Sequence, residues 1–411
     1  MEVARTPTRI ETIKVVAGAS LMLSIGMGMR QCLGLFVVPM THSLGITVSD
    51  FTFAIAVQNL VWGLTQPFAG AYADRFGLKP VMVAGTVLYI LSLAATVFAT
   101  GLVSLTLSAG LLMGMSLACT AANLGMTASQ RSVAPQHRST ILGMVSSMGS
   151  VGSFVCAPLA QGLISGFGWQ VALIGFVVIA FAMLPGAWSA GLADRFHDPR
   201  AGRKDDPGFR AVMSEALHHR AYMTMVGAVF VCGLQLLFLT AHLPTYLALC
   251  GQKPMLSVEA LGTIGGFNII GCYLLGWLGG RYPKHILLGL VYVIRSIALA
   301  VYFAMPATEV STLVFAAVMG LLWLGVIPLT QGLVAQMFGL RYLATLSGFA
   351  FFNHQIGSFI GVWGGGLIFD AFGSYDRAWQ IGVTIGLIAG VAQMMAGGET
   401  RRDDALRPAP A

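Results

Sequence analysis

Charged residues are scarce in this sequence. Only 9% of its 411 residues are Asp, Glu, Lys or Arg, while 56% are hydrophobic and the mean hydropathy is +0.79. A soluble chain of this length could not keep so much apolar surface from water, so the composition predicts a protein that lies in the lipid bilayer. The net charge of +7 does not indicate nucleic acid as a partner, because the basic residues fall in short segments between apolar runs, where they set membrane topology.

Cysteine is also rare, and its placement argues against several kinds of site. Most of the six cysteines lie inside apolar runs without metal-ligand spacing, so we interpret them as small packing residues. The sequence shows no nucleophile–base pair either. We therefore expect no metal site, no cofactor and no enzymatic activity. The six positions are Cys32, Cys119, Cys156, Cys232, Cys250 and Cys272.

Apolar runs fill most of the chain. A run of about 20 residues is long enough to cross the hydrocarbon layer, and the sequence predicts twelve such spans. The predicted fold class is an all-α polytopic membrane protein with twelve transmembrane helices. The predicted spans are 12–38, 50–73, 80–100, 103–129, 139–165, 169–190, 221–250, 258–280, 284–304, 310–338, 342–369 and 379–396.

One polar segment divides these spans into two sets of six. Residues 191–220 carry nine charged residues between Asp194 and Arg210 and are too polar to span. We predict an N-terminal six-helix bundle at 1–190, a linker at 191–220, and a C-terminal bundle with a short tail at 221–411. The halves echo each other at an offset of about half the chain, as parallel repeats do, which predicts a midplane site between two rocking bundles.

Basic residues predict the orientation in the membrane. Arg and Lys recur in alternate loops, at the N-terminus, in the linker and in the tail, while the opposite face has only Lys253 and Arg377. Since loops rich in Lys and Arg stay in the cytoplasm, we expect both termini and the linker to be cytoplasmic.

Arg30 is the first candidate for a functional residue. It lies near the middle of the first span, with Gly26 and Gly34 one turn away on the same face. A buried cation is costly unless it faces a cavity or a partner, and a guanidinium fork suits a carboxylate. The alternative is a structural arginine that binds carbonyl groups of a neighbouring helix. The sequence places no carboxylate clearly at midplane, which argues against a carrier of organic cations.

His354 is the best candidate for a group that carries a proton. It lies in a polar island of the eleventh span, between Asn353 and Gln355, and an imidazole changes charge near neutral pH. A neutral histidine that is satisfied between helices is the alternative.

Other polar side chains within the spans offer further contacts. Asn123, Asn268 and Gln331 are candidate substrate ligands, although a lone amide more often ties two helices together. Arg295 lies near the middle of the ninth span, and we interpret it as a structural tie with Asn268 as a possible partner.

Residues 70–79 form a short charged segment between the second and third spans, which predicts a tight loop at a membrane face. The segment resembles the G-x-x-x-D-R-x-G-x-[RK] signature of the major facilitator superfamily. The resemblance covers nearly the whole chain, and it implies a solute carrier that works by alternating access. The matching residues, for which it implies a gating role, are Gly70, Asp74, Arg75, Gly77 and Lys79.

Within that superfamily the chain looks like the monocarboxylate and oxalate/formate porters. The supporting segments are 28–36 and 354–376. This branch implies small organic anions that often move with a proton. Several such porters carry an Asp and an Arg one turn apart on the eighth helix, where this sequence has Asn268 and Cys272. We therefore expect the anion site at Arg30, with Arg295 as the second choice.

The sequence thus predicts a secondary active transporter of a small organic anion, a monocarboxylate, with proton coupling. We expect it to work as a monomer in a bacterial cytoplasmic membrane. One alternative is an efflux carrier for drugs or other toxic solutes, although segment 153–162 matches the fifth-helix stretch of drug/proton antiporters poorly. Another is a transporter-like sensor, which would usually add a signalling extension.

The predicted orientation can be tested by chemical labelling of intact cells. In a cysteine-free background, a cysteine placed at Lys253 should react with an impermeant thiol reagent, and one at Lys204 should not, because Lys204 belongs to the cytoplasmic linker. Labelling at 204 but not at 253 would reverse the orientation.

Overall fold

The computed structural model describes residues 7–120, 122–196, 208–340 and 342–396. Within these ranges every element of secondary structure is helical. The predicted tail at 397–411 and the charged stretch 197–207 of the linker lie outside the described residues.

Six helices make up the first bundle. Several are irregular: the end of α1 tightens into a 3-10 turn at Cys32–Phe36, and α4 contains a π-helical turn at Thr106–Leu112. The helices are α1 (Arg9–Gln31), α2 (Val48–Phe76), α3 (Leu78–Val97), α4 (Leu102–Ser132), α5 (Arg138–Phe167) and α6 (Trp169–Ala180, continued at Met183–Ala190).

The second bundle repeats the pattern after a short linker helix at Gly208–His218. Each bundle has its own hydrophobic core, so the two are joined by helix-to-helix contacts rather than by a shared interior. Its helices are α7 (Arg220–Leu249), α8 (Pro254–Leu278), α9 (Lys284–Ala304), α10 (Glu309–Leu321 and Val326–Phe338), α11 (Leu343–Phe372) and α12 (Asp376–Met395).

The predicted all-helical membrane fold is confirmed. In the described ranges ten helices are long and apolar enough to cross a membrane by length and composition. The other two long helices, α2 and α11, hold much of the polar material that the sequence places inside spans, including Gln58, Asn59, His354 and Gln355. They pack against each other across the two bundles. The least apolar helices therefore meet protein along much of their length.

The predicted loop at 70–79 is wrong in its secondary structure. Helix α2 continues to Phe76, α3 begins at Leu78, and only Gly77 separates them. Gly77 has φ of +103°, a conformation that glycine adopts without a steric penalty. The charged side chains of this segment are thus held on a rigid helix end.

Two seams join the bundles, one between α2 and α11 and the other between α5 and α8. In both seams the helices approach each other most closely near the end of the molecule where α1 begins and α12 ends. We name this end the terminal face. There a Cβ on Gly70 would collide with the backbone of Ala344, and Gly143 packs on Gly276. Small residues allow such close approach of membrane helices.

Toward the opposite end, the far face, the seams open. Gly265 lies one turn beyond the last polar contact of α8 with α5, and no described atom comes within 4 Å of a Cβ built on it. On the other seam, Phe359 lies one turn beyond Gln355 and is 52% exposed. The bundles therefore diverge toward the far face and leave a cavity open on that side.

Candidate functional site

Arg30 is partly exposed and lies beside the last polar contact of the α2–α11 seam, where the space between the diverging bundles begins. Its guanidinium donates to Asn59 Oδ1 on α2 and lies 4.9 Å from the centre of the Trp62 ring. Its Nε is buried without a partner. No carboxylate among the described residues pairs with Arg30. Its positive charge is therefore held by an amide and a ring, neither of which neutralises it.

Asn59 carries the contact across to the second bundle. Gln355 on α11 donates from Nε2 to the backbone carbonyl of Asn59 at 3.0 Å. Beside this bond, the Trp62 and Phe351 rings lie 4.6 Å apart between their centres. Arg30 is thus one residue away from the seam between the bundles.

His354 lies next to Gln355 on the same helix. Its Nδ1 is 3.2 Å from Gln355 Oε1 and 3.3 Å from Ser358 Oγ. Its ring is nearly parallel to that of Phe351, with an interplanar angle of 4° and centres 5.8 Å apart. Two routes therefore join Arg30 to His354. One runs through Asn59, whose side chain accepts from Arg30 and whose backbone carbonyl accepts from Gln355, and the other runs through the Trp62 and Phe351 rings.

Asn123 and Gln331 lie apart from this network and bind each other. Gln331 Nε2 donates to Asn123 Oδ1 at 3.0 Å, and Ser347 on α11 donates to Gln331 Oε1 at 3.1 Å. Both amides are buried. They tie α4 to α10 and α11 across the bundles, and a direct contact with substrate stays a prediction for both.

Asn268 is likewise engaged with protein. Its Nδ2 donates to Ser150 Oγ on α5 at 2.7 Å, and its Oδ1 accepts from the backbone N–H of Leu324 at 2.9 Å. Cys272, one turn along, contacts Ser146 of α5 through its sulfur at 3.5 Å. Asn268 and Cys272 therefore form part of the α5–α8 seam.

Arg295 is fully buried and bonded to the protein, but Asn268 is not its partner. The guanidinium donates to Cys232 Sγ at 3.1 Å and to the carbonyls of Leu322 and Trp323, where α10 is interrupted. The expected bond between Arg295 and Asn268 is wrong. Both side chains bind the interrupted backbone of α10 instead: Arg295 binds its free carbonyl groups, and Asn268 binds a free N–H group.

Asp74 forms a charged clasp near the terminal face. It lies 2.8 Å from Arg131 of α4, and its other oxygen accepts from the backbone N–H and hydroxyl of Thr345 at 2.9 and 2.7 Å. Thr345 lies in the first turn of α11, where a carboxylate is favoured by the free N–H groups and the helix dipole. Asp74 thus joins two helices of one bundle to a helix of the other.

Arg75 does not take part in this clasp. Its side chain is exposed and its guanidinium lies 5.2 Å from the Phe76 ring, so Arg131 fills the role expected of Arg75. Lys79 lies 3.0 Å from the Trp188 ring of α6. The N–H groups of Leu78 and Lys79 donate to Asp194 of the linker at 2.8 and 2.9 Å.

Sequence reasoning missed Arg131, Asp194 and Thr345 as parts of this clasp. In the sequence, Arg131 contributes to the charge bias that sets topology, and Asp194 to the polarity of the linker. A signal was present, since Arg131 ends a polar run at the close of the fourth span and a buried cation there needs an acid. Among the described residues no group of three or more His, Cys, Asp or Glu side chains could hold a metal ion.

The sequence profile of the Major Facilitator Superfamily matches residues 19–362. An uncharacterized MFS-type transporter of Bacillus subtilis strain 168, YcxA, is 26% identical over 373 residues, which cover 86% of this chain and 88% of that protein. Monocarboxylate transporter 13 of Rattus norvegicus is 23% identical over 89% of this chain and 84% of its own length. The proton:xylose symporter XylE, solved with 6-bromo-6-deoxy-D-glucose, superposes with a TM-score of 0.75 at 12% identity and covers 95% of this chain and 98% of its own.

The long apolar helices and the matching family profile identify a multi-pass membrane transporter. The chain belongs to the Major Facilitator Superfamily. Its relatives include monocarboxylate transporters, in agreement with the branch that the sequence resembles, and the family is one of transporters rather than enzymes.

The clasp predicts a specific effect of Asp74→Asn. The variant keeps the side-chain shape but removes the charge that lies 2.8 Å from the buried Arg131 and leaves Asp194, 3.9 Å away, as its remaining countercharge, so the clasp should weaken. Because the clasp lies at the terminal face and not beside Arg30, we expect transport to slow more than substrate binding weakens. The measurement is transport rate and affinity in reconstituted vesicles.

Arg75→Gln is the matched control, since Arg75 is adjacent but exposed, and it should affect transport much less. A normal transport rate in folded Asp74→Asn would contradict this role.

Proposed function

We propose that this protein is a proton-coupled secondary transporter of a small organic anion, with Arg30 as the ligand of the substrate carboxylate and His354 as the proton carrier. One observation carries the proposal: Arg30 lies where the space between the diverging bundles begins, has no acidic partner among the described residues and is joined to His354. The monocarboxylate transporters among the relatives support the same substrate class.

The electrostatics favour an incoming anion. A cation in the membrane interior is costly unless it is paired or hydrated. Arg131 has its own acid, and Arg295 is held by carbonyls and a sulfur. Arg30 has only one amide oxygen and a ring. A carboxylate would bind it through two parallel hydrogen bonds and remove the excess charge.

The substrate would also act on a residue of the α2–α11 seam. A carboxylate on Arg30 competes with Asn59 Oδ1 for the guanidinium, and Asn59 is the residue that Gln355 binds across the bundles. Gln355 binds the backbone carbonyl of Asn59 and not its side chain, so the effect of binding at Arg30 would reach Gln355 and His354 through the backbone of α2. This provides a physical link between occupancy of the anion site and the proton-carrying group.

The bundles supply alternating access. We propose that the halves 1–190 and 221–411 rock about the floor of the cavity, with the terminal face in the cytoplasm. On that orientation the described conformation is open to the outside, and the Asp74 clasp keeps the inner side closed. We propose the bacterial cytoplasmic membrane as the location and a monomer as the working unit.

The anion site predicts distinct effects of two arginine substitutions. Arg30→Lys keeps the charge but loses the planar fork and should weaken binding. Arg30→Gln should nearly abolish it, at a cost of roughly 2–5 kcal/mol for the loss of one partner of a buried charge pair. The measurement is affinity on purified protein, for the acid that most raises the melting temperature in a thermal-shift screen of carboxylates.

Arg295→Gln is the matched comparison, because it removes another buried arginine. It should lower yield and melting temperature more than affinity, since it leaves two carbonyls of α10 unpartnered. Full affinity in Arg30→Gln, with affinity lost in well-folded Arg295→Gln, would reverse the assignment.

The proposed proton-carrying role of His354 predicts that its substitution affects two modes of transport differently. His354→Gln keeps a hydrogen-bonding side chain but cannot gain charge, so pH-driven uphill accumulation should be lost. Exchange of substrate at equal pH on both sides should survive, because it need not release the proton. Normal accumulation by the mutant would show that His354 is only structural.

A further inference from the structure

Helix α10 is interrupted in its middle. The segment Leu322–Gly325 is not helical and separates the part Glu309–Leu321, here named the outer segment, from the inner part Val326–Phe338. Non-helical backbone at membrane depth leaves N–H and C=O groups that must find partners within the protein. The side chains that bind the backbone of this interruption are therefore the ones that control its conformation.

Two buried side chains hold the break from different helices. Arg295 of α9 donates to the carbonyls of Leu322 and Trp323, the second at 3.1 Å. Asn268 of α8 accepts from the N–H of Leu324 at 2.9 Å. Glycines bring α8 against α10 on both sides of the break, since a Cβ on Gly271 would collide with Leu321 and one on Gly325 with Leu275.

Asn268 also reaches the other bundle. Its Nδ2 donates to Ser150 Oγ of α5 at 2.7 Å. Among the hydrogen bonds between α5 and α8 in the described chain, this one lies farthest toward the far face, and Gly265 one turn beyond has open space at its Cβ position. A single amide therefore binds the break in α10 with its oxygen and the opposite bundle with its nitrogen.

We propose that Asn268 is a positioning residue that couples the α5–α8 seam to the α10 break, and that the outer segment turns about this break as the gate on the far side. When the bundles part at the terminal face, the Ser150–Asn268 bond is lost and the amide is freed to turn. Leu324 then loses its acceptor, and the outer segment is released to close over the cavity. The two gates are thereby linked through one side chain.

The first bundle shows why the hinge belongs to α10. Its repeat-related helix α4 is also irregular, and Gln58 of α2 donates to the Ala109 carbonyl there at 2.7 Å. However, α4 keeps a continuous π turn across the irregularity, whereas α10 loses its helical bonds over four residues. We therefore expect the outer segment of α10 to move and that part of α4 to stay in place.

The test measures two distances by pulsed electron paramagnetic resonance on the full chain without substrate. Labels at Glu309 and Lys253, both exposed, report the outer segment relative to its own bundle. Labels at Lys253 and Phe167 report the separation of the bundles at the far face. The labels are attached to a ketone-bearing amino acid, because native Cys232 and Cys272 take part in the contacts under study.

In Asn268→Ala, the measured distribution of the 309–253 distance should contain a second peak, because the outer segment is released. Ser150→Ala, which removes only the contact with the other bundle, should add the same population, since loss of one hydrogen bond shifts such an equilibrium by up to about tenfold. Ser147→Ala is the matched control and should match the wild type, because Ser147 donates within its own helix to Met144.

Two results would overturn the proposal. One is an unchanged 309–253 distance in folded Asn268→Ala. The other is a change in Asn268→Ala that Ser150→Ala does not share, which would remove the link to α5. The proposal rests on alternating access but not on the identity of the substrate. A wrong assignment of Arg30 would therefore leave these distances unaffected. A 253–167 distance that never changes would count against the rocking of the bundles itself.

Discussion

A positive charge inside the membrane must be compensated, and the three arginines near the interior differ in how this is done. Arg131 meets the carboxylate of Asp74, and Arg295 is held by a sulfur and two backbone carbonyls. Arg30 has one amide oxygen and a ring. Arginine thus forms a buried ion pair at position 131 and structural hydrogen bonds at position 295. At the cavity floor it is a site with spare binding capacity.

The contacts between the bundles differ in strength, and the difference suits an alternating mechanism. At the terminal face Asp74, which is paired with Arg131 inside the first bundle, accepts two hydrogen bonds from Thr345 of the second bundle, and hydrogen bonds to a charged group are stronger than neutral ones. The amide contacts at the cavity floor are ordinary hydrogen bonds worth about 1 kcal/mol each. Under the proposed function, an anion at Arg30 would rearrange the contacts of the cavity floor without first breaking the clasp, so substrate binding and the opening of the terminal face would be separate steps.

The fold followed largely from the sequence, because long apolar runs leave few options in a bilayer. Arg30 and His354 stood out for the same reason, as polar groups where lipid and apolar helices were expected. Their link through Asn59 and Gln355 could not be predicted, since periodicity gives the face of a helix but not the side chain that meets it from another bundle. The choice of Arg131 over Arg75 as the partner of Asp74 has this origin too. The break in α10 could not be predicted either, because the sequence of this helix is as apolar as that of an unbroken helix.

The central claim is that Arg30 binds the negative charge of the substrate, and a cycle that changes the ligand charge tests it most directly. The affinity of the best-binding acid is compared with that of its uncharged amide on the wild type and on Arg30→Gln, with folding checked by melting temperature. The account predicts that the wild type strongly prefers the acid and that the variant loses this preference while both forms of the ligand bind weakly. An undiminished preference for the acid in folded Arg30→Gln would contradict it.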